Sequence, residues 1–558
     1  MNPGPPKLSV AAAQFSLSPA EGERAGGWGQ SFAEINQAHA PSLFLTPRPD
    51  PLPFRRGEGN SRPNPIQPWS LAVILLAAFL VPLLTLHATE PDRLSVHGKN
   101  IVNAKGEVVS MRGINFGGWL MMESWIPSLE MEWHDHLPRL AREAGIEKEL
   151  RATEKEIGAF EDDKERVQNY IARLHQMLET KVPAEKFKAY LALFEKEPPV
   201  FAAKDMDDLL RARFGETGAA EIWDAFHNNW ITETDFQLAR ALGFNFIRVP
   251  FWYRWFEDDA RPYAYEDYCF RYLDRAVAWA REHGLYVMLD FHGAPGCQSP
   301  WDHTGELSNA RFFSMPEFQR RCAALWKTIA ERYRNDPTVF AYDLLNEPFS
   351  AKDVQNWTEA HDLIYRAIRS VDARTIIVME DGYKLEDARF KRKGFFPDPN
   401  KLGWQNLVYS IHFYSGWDPE LTKGDNTFDH RKVLRELVRV GKLEQKRWQV
   451  PIYIGEFSTM HDLPNDLAGI KMIMTEFNRL GWHYSPWTWK YVNDDGEGSI
   501  WGVYQFNLPW ERTPNMHRDS KEFLLNLISK LSTENFSLHE PYGKILREVL
   551  TQPVRAAK

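Results

Sequence analysis

Short apolar runs alternate with amphipathic stretches through most of the chain after residue 240. Each run has the length of a buried β-strand, and the stretches between them show helical spacing, as in residues 266–283, 316–333 and 354–370. Strands that are apolar on both faces and separated by helices are typical of a parallel sheet. The predicted strands are residues 111–116, 244–249, 285–291, 339–345, 375–379, 407–413, 451–457 and 482–489. Eight such strands predict an α/β protein with a (β/α)8 TIM barrel.

The N-terminal part of the chain predicts a disordered extension followed by an export segment. Residues 1–68 are rich in Pro, Gly, Ser and Arg and lack an apolar period. Residues 69–89 contain the apolar stretch 71–86, which Pro82 interrupts and which is shorter than the roughly 20 residues of a spanning helix. This pattern favours a cleaved signal peptide, with a retained membrane anchor as the alternative. We therefore expect an exported protein, periplasmic, extracellular or at the cell surface; a mis-assigned start of translation would also explain the extension.

Residues 90–558 are expected to form one barrel domain with additions. Residues 94–98 and 101–111 predict a hairpin built on the Asn-Ala-Lys-Gly turn at 103–106. Residues 128–222 are dense in Glu, Lys, Arg, Ala and Leu with helical spacing, which predicts a helical insertion after the first barrel strand. The insertion is either a solvated structural cap or a wall or lid beside the active site. The chain after about residue 515 predicts a helical tail.

Composition narrows the possible functions. The net charge of −9 leaves no basic surface for nucleic acid. The three cysteines, Cys269, Cys297 and Cys322, allow at most one disulfide and lack the spacing of a zinc site, so a structural role is expected and no metal site is predicted. Aromatic residues make up 13% of the chain and include 21 Trp. That surplus over the needs of a core suits stacking against sugar rings.

Polar and aromatic residues follow the predicted strands at their C-terminal ends. One apolar run ends in Asn346, Glu347 and Pro348, and another ends in Glu456. Because Pro348 cannot donate to a sheet ladder, pairing stops there and the Glu347 carboxylate emerges at the end where barrel enzymes carry catalytic groups. Two such glutamates predict the paired-carboxylate site that glycoside hydrolysis needs. The same rim is expected to hold Arg248, His292, His412, Tyr414, Trp487 and Trp489.

Six short motifs at these strand ends carry a resemblance to a known family. They are residues 248–250 (Arg-Val-Pro), 289–296 (Leu-Asp-Phe-His-Gly-Ala-Pro-Gly), 345–348 (Leu-Asn-Glu-Pro), 411–414 (Ile-His-Phe-Tyr), 454–457 (Ile-Gly-Glu-Phe) and 487–490 (Trp-Thr-Trp-Lys). In this order they resemble glycoside hydrolase family 5, a clan A family of retaining hydrolases with a (β/α)8 barrel. The resemblance covers about residues 94–510 without the insertion.

Within that family the chain is most similar to the exo-β-1,3-glucanase branch. Residues 113–123, 227–236 and 292–298 carry this similarity. There are two departures from the branch. The insertion after Trp125 is not part of it, and Trp301 stands where a phenylalanine is expected. Both border the presumed sugar groove.

The resemblance implies that Glu347 is the general acid/base and Glu456 the nucleophile of a double displacement. We expect Arg248 to keep Glu456 ionised, and burial and the neighbouring carboxylate to raise the pKa of Glu347. His412 is expected to orient Glu347, and Tyr414 to hydrogen-bond Glu456. The remaining substrate-binding predictions are Asn346 at the sugar 2-hydroxyl, Glu123 and His292 at hydroxyls of the terminal sugar, Trp487 as the sugar floor with Trp489 as its alternative, and Trp301 at the groove.

The predicted activity is hydrolysis of β-glucosidic bonds in β-glucan polysaccharides or oligosaccharides, of the exo-β-1,3-glucanase type. The alternatives are an endo-β-1,4-glucanase or mannanase of the same family, and a non-catalytic glycan-binding barrel. No metal or organic cofactor is implied, because the two carboxylates carry the proton and nucleophile roles themselves. We expect a monomer whose partner is the glucan, with membrane contact only if residues 71–86 remain attached.

Overall fold

The computed structural model describes residues 91–130, 133–158, 164–307, 310–382, 396–415, 427–459, 463–492, 500–510 and 512–553. The predictions for residues 1–68 and for the apolar stretch 71–86 lie outside these ranges. Within them, none of the helices has both the length and the apolar character that a bilayer crossing requires.

The strands are, in chain order, β1 (Ser95–His97), β2 (Asn100–Val102), β3 (Gly113–Asn115), β4 (Phe246–Trp252), β5 (Tyr286–Gly293), β6 (Val339–Asp343), β7 (Ile376–Glu380), β8 (Leu407–Ser410), β9 (Phe413–Ser415), β10 (Ile452–Ile454), β11 (Phe457–Thr459), β12 (His483–Tyr484), β13 (Lys490–Tyr491), β14 (Tyr504–Phe506) and β15 (Phe536–Leu538).

Eight of these strands form one parallel sheet in the order β3, β4, β5, β6, β7, β8, β10, β12. A parallel bridge between Arg112 and Tyr484 joins its last strand to its first. The predicted (β/α)8 barrel is confirmed. Several predicted strands are shorter than expected. Residues 407–413 and 451–457 each leave the barrel before their last polar residue, and of residues 482–489 only His483 and Tyr484 form a barrel strand. Beyond those exits, β9 and β11 pair separately with each other.

The helices are, in chain order, α1 (Trp133–Glu143), α2 (Glu147–Ile157), α3 (Lys164–Lys181), α4 (Ala184–Lys196), α5 (Ala203–Trp230), α6 (Glu233–Leu242), α7 (Arg271–Glu282), α8 (Pro316–Tyr333), α9 (Val354–Arg369), α10 (Pro399–Leu402), α11 (His430–Trp448), α12 (Asp466–Leu480), α13 (Lys521–Ser529) and α14 (Glu540–Leu550). A kink at Gly215, where φ is +70°, divides α5 into two helical parts.

Helices α1 to α5 lie between β3 and β4, after the first barrel strand. Helices α1 to α4 bury their apolar faces in a core of their own, which includes Leu140, Leu174 and Tyr190. Leu307, from a barrel loop, is also part of this core. The insertion is therefore a packed helical layer that reaches a loop at the C-terminal end of the barrel.

The N-terminal end of the barrel is closed by apolar packing. Phe246 and Phe340 meet inside it with ring centroids 5.2 Å apart, and Leu94 and Ile101 of the hairpin region pack against them. The hairpin differs from the prediction: β1 and β2 turn at Gly98 and Lys99, whereas the turn at 103–106 supports only a bridge between Val102 and Val108. Apolar filling at this end leaves the opposite end for polar groups.

Cys269, Cys297 and Cys322 form no disulfide within the described residues, and Cys297 and Cys322 are buried. The predicted tail contains α13 and α14, with β15 between them.

Candidate active site

Glu347 and Glu456 meet at the C-terminal end of the barrel. Glu347 follows β6 and Glu456 follows β10. The imidazole of His412 lies between them, and the facing carboxyl oxygens of the two glutamates lie within 4.8 Å of each other. Carboxyl groups of retaining glycosidases stand about 5–5.5 Å apart, whereas inverting pairs stand about 6.5–9.5 Å apart. The spacing matches direct attack on a sugar carbon.

Glu456 is held by a cation and a phenol. Arg248 Nη1 donates to its Oε1 at 2.8 Å, and the Tyr414 hydroxyl donates to its Oε2 at 2.7 Å. Burial alone would raise the pKa of Glu456, but the positive charges of His412 and Arg248 outweigh it and leave that pKa below its ordinary value. The carboxylate is therefore ionised and fixed in direction.

His412 contacts three carboxylates. Its Nδ1 bonds Glu347 Oε1 at 2.8 Å and lies 3.5 Å from Glu456 Oε2, while its Nε2 lies 3.2 Å from Glu380 Oε1. Burial opposes the charged imidazole, but the surrounding carboxylates raise the pKa of His412 well above its ordinary value. His412 is thus an imidazolium at neutral pH.

The pKa of Glu347 differs from the sequence-based expectation. Burial raises it, but the hydrogen bond from His412 and the electrostatic influence of the neighbouring imidazoles, His303 and His412 above all, lower it to about 2. The expectation considered burial and the second glutamate and missed these imidazoles. In the free protein, one proton therefore belongs to the hydrogen-bonded pair of His412 and Glu347 and lies on the His412 side.

Arg248 is fully buried beneath both glutamates. Besides Glu456, it contacts Asp290 at 3.1 Å, Asp343 at 3.0 Å and Glu380 at 2.8 Å. Burial raises the pKa of both Asp290 and Asp343 well above their ordinary values. Glu380 also accepts the backbone N–H of Glu347 through Oε2 at 2.8 Å. Arg248 thus contacts Glu456 directly, and it also contacts Glu380, the residue that accepts the backbone N–H of Glu347.

Asn346 and His292 lie beside this centre. Asn346 Oδ1 accepts from Arg248 Nη2 at 2.9 Å, and its Nδ2 lies 3.3 Å from His292 Nε2. His292 Nδ1 bonds Asp290 Oδ2 at 2.7 Å, and its ring stacks on Trp487 at 5.6 Å with an angle of 13°. Burial lowers the pKa of His292 well below its ordinary value, so this ring is neutral. Trp487 therefore borders the candidate site.

Glu123 lies near both candidate acids, and their negative charges help to raise its pKa. Burial, followed by the charges of Asp302 and Glu456, raises its pKa well above the ordinary value. Trp125 Nε1 donates to its Oε2 at 3.1 Å, while its buried Oε1 has no partner among the described residues. A neutral carboxyl with one free oxygen suits a bond to a sugar hydroxyl.

The two remaining tryptophans differ in position. The Trp301 ring packs edge-on against the ring of Phe349, with centroids 5.0 Å apart. Because Phe349 follows Glu347 by two residues, Trp301 borders the site. Trp489 is 0% exposed, and its Nε1 donates to Asp235 Oδ1 at 2.8 Å. The ring of Trp489 thus lies in the core, whereas Trp487, which is 3% exposed, stacks on His292 beside the candidate site.

Sequence reasoning missed Glu380, His303, Asp290 and Asp343. Glu380 ends the apolar run of β7 as Glu347 and Glu456 end theirs, so the same signal applied to it. The two aspartates interrupt otherwise apolar strands and are direct neighbours in the register of β5 and β6. His303 had no such signal, because it lies in a loop.

Two sets of side chains bring possible metal-ligand atoms within 4.8 Å of one another. The first is Glu347, His412 and Glu456, and the second is Asp290, Asp343 and Glu380. Each set already encloses a cation of the protein: the His412 imidazolium belongs to the first, and the Arg248 guanidinium contacts every member of the second. These cations account for the clustering of the acids.

The curated proteins to which the chain is similar include a beta-xylosidase, a glucan 1,3-beta-glucosidase and an endoglucanase. A beta-xylosidase of Phanerodontia chrysosporium is 33% identical over 204 residues, which cover 36% of this chain and 41% of that protein. A probable glucan 1,3-beta-glucosidase A of Emericella nidulans is 25% identical over 353 residues, covering 62% and 67%. Endoglucanase C of Acetivibrio thermocellus is 29% identical over 189 residues, covering 34% and 51%. The chain thus spans about half the length of several curated relatives.

Among solved structures, an endogalactoceramidase superposes with a TM-score of 0.45 at 14% identity, covering 78% of this chain and 84% of that one. The strand order described above establishes the barrel fold. The family model described as Cellulase (glycosyl hydrolase family 5) matches residues 214–493, which is half of the chain and contains both glutamates. The chain belongs to glycosyl hydrolase family 5.

Proposed function

We propose that this protein is a retaining glycoside hydrolase that cleaves β-glucosidic bonds of β-glucans, acting as an exo-β-1,3-glucanase. The observation that carries the proposal is the approach of the Glu347 and Glu456 carboxyl oxygens to within 4.8 Å of each other. That gap admits a single anomeric carbon and leaves no room for a water on the opposite face of the sugar.

Glu456 acts as the nucleophile. The Arg248 and Tyr414 hydrogen bonds hold its carboxylate ionised and aimed at the anomeric carbon. In the first step a Glu456 oxygen forms a bond to this carbon while the bond to the leaving oxygen breaks. The leaving oxygen takes the proton held by the His412–Glu347 pair. In the second step water attacks the same carbon, the pair takes a proton from that water, and Glu456 is released.

The His412–Glu347 pair can act as a general acid because the bound sugar changes the surroundings of Glu347. Covering the carboxylate removes water from it, and desolvation raises the pKa of a carboxyl group. The hydrogen bond of 2.8 Å from His412 is the path by which the proton reaches Glu347. After Glu456 becomes an ester, its negative charge is gone and Glu347 serves as a base.

One alternative has support among the relatives. The similarity to an endoglucanase of Acetivibrio thermocellus favours an endo-acting β-1,4-glucanase with the same two carboxylates. Digestion of laminarin and carboxymethylcellulose separates the two activities. Glucose as the sole early product from laminarin supports the exo-β-1,3 activity, whereas ladders of oligosaccharides from carboxymethylcellulose support the alternative.

The proposed mechanism predicts that Glu347→Ala and Glu456→Ala each lower kcat by about 10³-fold or more, on the scale of catalytic-group deletions. With dinitrophenyl β-glucoside, added azide accelerates Glu347→Ala and yields a β-glucosyl azide, because that variant still forms the glycosyl-enzyme. Glu456→Ala gives no β-configured azide product. The exposed Glu331→Ala is the matched control. Wild-type turnover in either variant, or an inverted first product by NMR, rejects the mechanism.

A further inference from the structure

The two oxygens of Glu347 have different surroundings. Oε1 accepts the hydrogen bond from His412 Nδ1 at 2.8 Å. Oε2 has no hydrogen bond within the described part of the chain, and the Nε2 of His303 lies 3.7 Å from it. A leaving oxygen that bonds Glu347 therefore meets Oε2, on the side where His303 stands.

His303 is aimed at this position without a partner of its own. Its Nε2 is buried and makes no hydrogen bond to any described residue. The distance of 3.7 Å to Glu347 is too long for a direct bond. A buried polar nitrogen without a partner costs free energy, which a bound ligand group would recover. Trp301 lies beside it, with ring centroids 6.0 Å apart.

The loop that carries His303 is fixed to the barrel. His303 lies in a short 3-10 turn, Asp302–Thr304, that follows β5. A Cβ on Gly293 would come within 2.4 Å of the Thr304 carbonyl oxygen, and a Cβ on Gly305 within 2.5 Å of Trp252. Only glycine allows these approaches, so the position of the His303 side chain is set by close backbone packing.

The helical insertion holds the other side of this loop. The backbone N–H of Lys204, in the first turn of α5, donates to the Gly305 carbonyl at 2.8 Å. Leu307, four residues after His303, is buried in the core of helices α1 to α4. The insertion thus supports the loop from outside while the barrel supports it from inside.

From these contacts we propose that His303 is a specificity residue that hydrogen-bonds a hydroxyl of the leaving-group sugar through Nε2, and that the helical insertion positions it. The inference rests on the proposed function, since it requires Glu347 to protonate a glycosidic oxygen. It assigns the insertion a role in recognising a saccharide leaving group rather than in the chemical step.

The test compares two leaving groups in His303→Leu. The leaving group of laminaribiose is glucose, which carries hydroxyls. The leaving group of dinitrophenyl β-glucoside is dinitrophenolate, which offers His303 no hydroxyl and leaves without protonation. We expect kcat/KM of His303→Leu to fall about tenfold to hundredfold on laminaribiose, the effect of one lost hydrogen bond, and less than about threefold on dinitrophenyl β-glucoside. His303→Asn, which can still hydrogen-bond, should recover part of the loss. His97→Leu, at an exposed position outside the site, is the control.

Leu307→Ala tests the role of the insertion without replacing the His303 side chain. We expect the same selective loss on laminaribiose, smaller than that of His303→Leu, because the loop loses its outer support. Equal losses on both substrates, or undiminished hydrolysis of laminaribiose by His303→Leu, overturn the inference. If the wild-type protein hydrolyses neither substrate, the proposed function itself is rejected before any variant is compared.

Discussion

Glu347 has a backbone conformation that few residues with a side chain adopt, with φ at +42°. Such a conformation costs about 1–3 kcal/mol and persists only where surrounding contacts stabilise it. Here the Glu380 carboxylate accepts the Glu347 N–H, and Asn346 N–H donates to the Phe291 carbonyl at 3.1 Å. These contacts stabilise the conformation, which places the carboxyl group of Glu347 at the mouth of the barrel.

Glu380 offers the sharpest residue-scale prediction. Its negative charge helps to keep the proton on His412, and this proton is present below the raised pKa and lost as pH rises through that pKa. Glu380→Gln removes the charge, lowers the pKa of His412, and should shift the basic limb of the kcat/KM profile down by about one pH unit or more. The profile is measured with an aryl β-glucoside.

The control for this variant is the exposed Glu359→Gln, which removes one charge from the surface. A basic limb that stays in place in Glu380→Gln would mean that Glu380 has only a structural role. Glu380→Ala separates the two effects further, because it also removes the acceptor of the Glu347 N–H and should lower kcat more than Glu380→Gln does.

At this scale the sequence predicts which side chains gather but not their protonation. Strand ends placed Glu347, Glu456, Arg248 and His412 at one rim, because strand C-termini converge in a barrel. The direction of the Glu347 pKa depended on which imidazole nitrogens face its two oxygens. That is a property of loops and rotamers that no linear pattern contains.

At the scale of elements, the apolar runs identified all eight barrel strands, because a strand buried on both faces has a simple sequence signature. Their ends were less predictable. Residues at i and i+2 of a strand share a face, so the sequence could not separate Trp487 from Trp489. The structure separates them because β12 ends at Tyr484 and the chain turns before Trp489 enters the core.

A buried ion pair fixes this turn to helices α5 and α6. Lys490 and Asp235 are both 0% exposed and lie 3.0 Å apart, and Lys490 Nζ also donates to the Trp230 carbonyl and to Thr533 Oγ1. Asp235 additionally accepts from Trp489. The pair joins α5, α6, β13 and the tail at one point.

Asp235→Ala should therefore lower the free energy of unfolding by about 3–5 kcal/mol, because it leaves the Lys490 charge buried without a counter-charge. Urea denaturation followed by tryptophan fluorescence measures the change. The matched control is Glu548→Ala, which breaks the exposed pair with Lys471 and should cost about 0.2–1 kcal/mol. Equal effects of the two variants would contradict the role of the buried pair.

At the scale of the whole molecule, buried neutral histidines contribute to the response to acid. Burial lowers the pKa of each below its ordinary value: His136 and His483 to about 4, and His227 and His361 to about 3. Below about pH 6.5 the unfolded chain binds protons that the folded protein excludes, so the free energy of unfolding falls as pH decreases. Each such group contributes a slope of about 1.4 kcal/mol per pH unit between its two pKa values.

His227 isolates one of these contributions. Its ring lies among Trp223, Trp255 and Tyr272, and neither ring nitrogen has a hydrogen-bond partner in the described part of the chain. His227→Phe removes the titrating group and keeps an aromatic ring in that cage. The slope of the unfolding free energy against pH between 4 and 6 should drop by about 1.4 kcal/mol per unit, measured by urea denaturation at a series of pH values.

The exposed His97→Gln is the control, since its side chain is in water both before and after unfolding. His227→Phe should also keep its stability near pH 7, because the substitution sacrifices no hydrogen bond; a loss above about 3 kcal/mol there would show that the larger ring does not fit the cage. A slope that equals that of the wild type while stability at pH 7 is unchanged would mean that His227 is protonated in the folded protein, contrary to its surroundings.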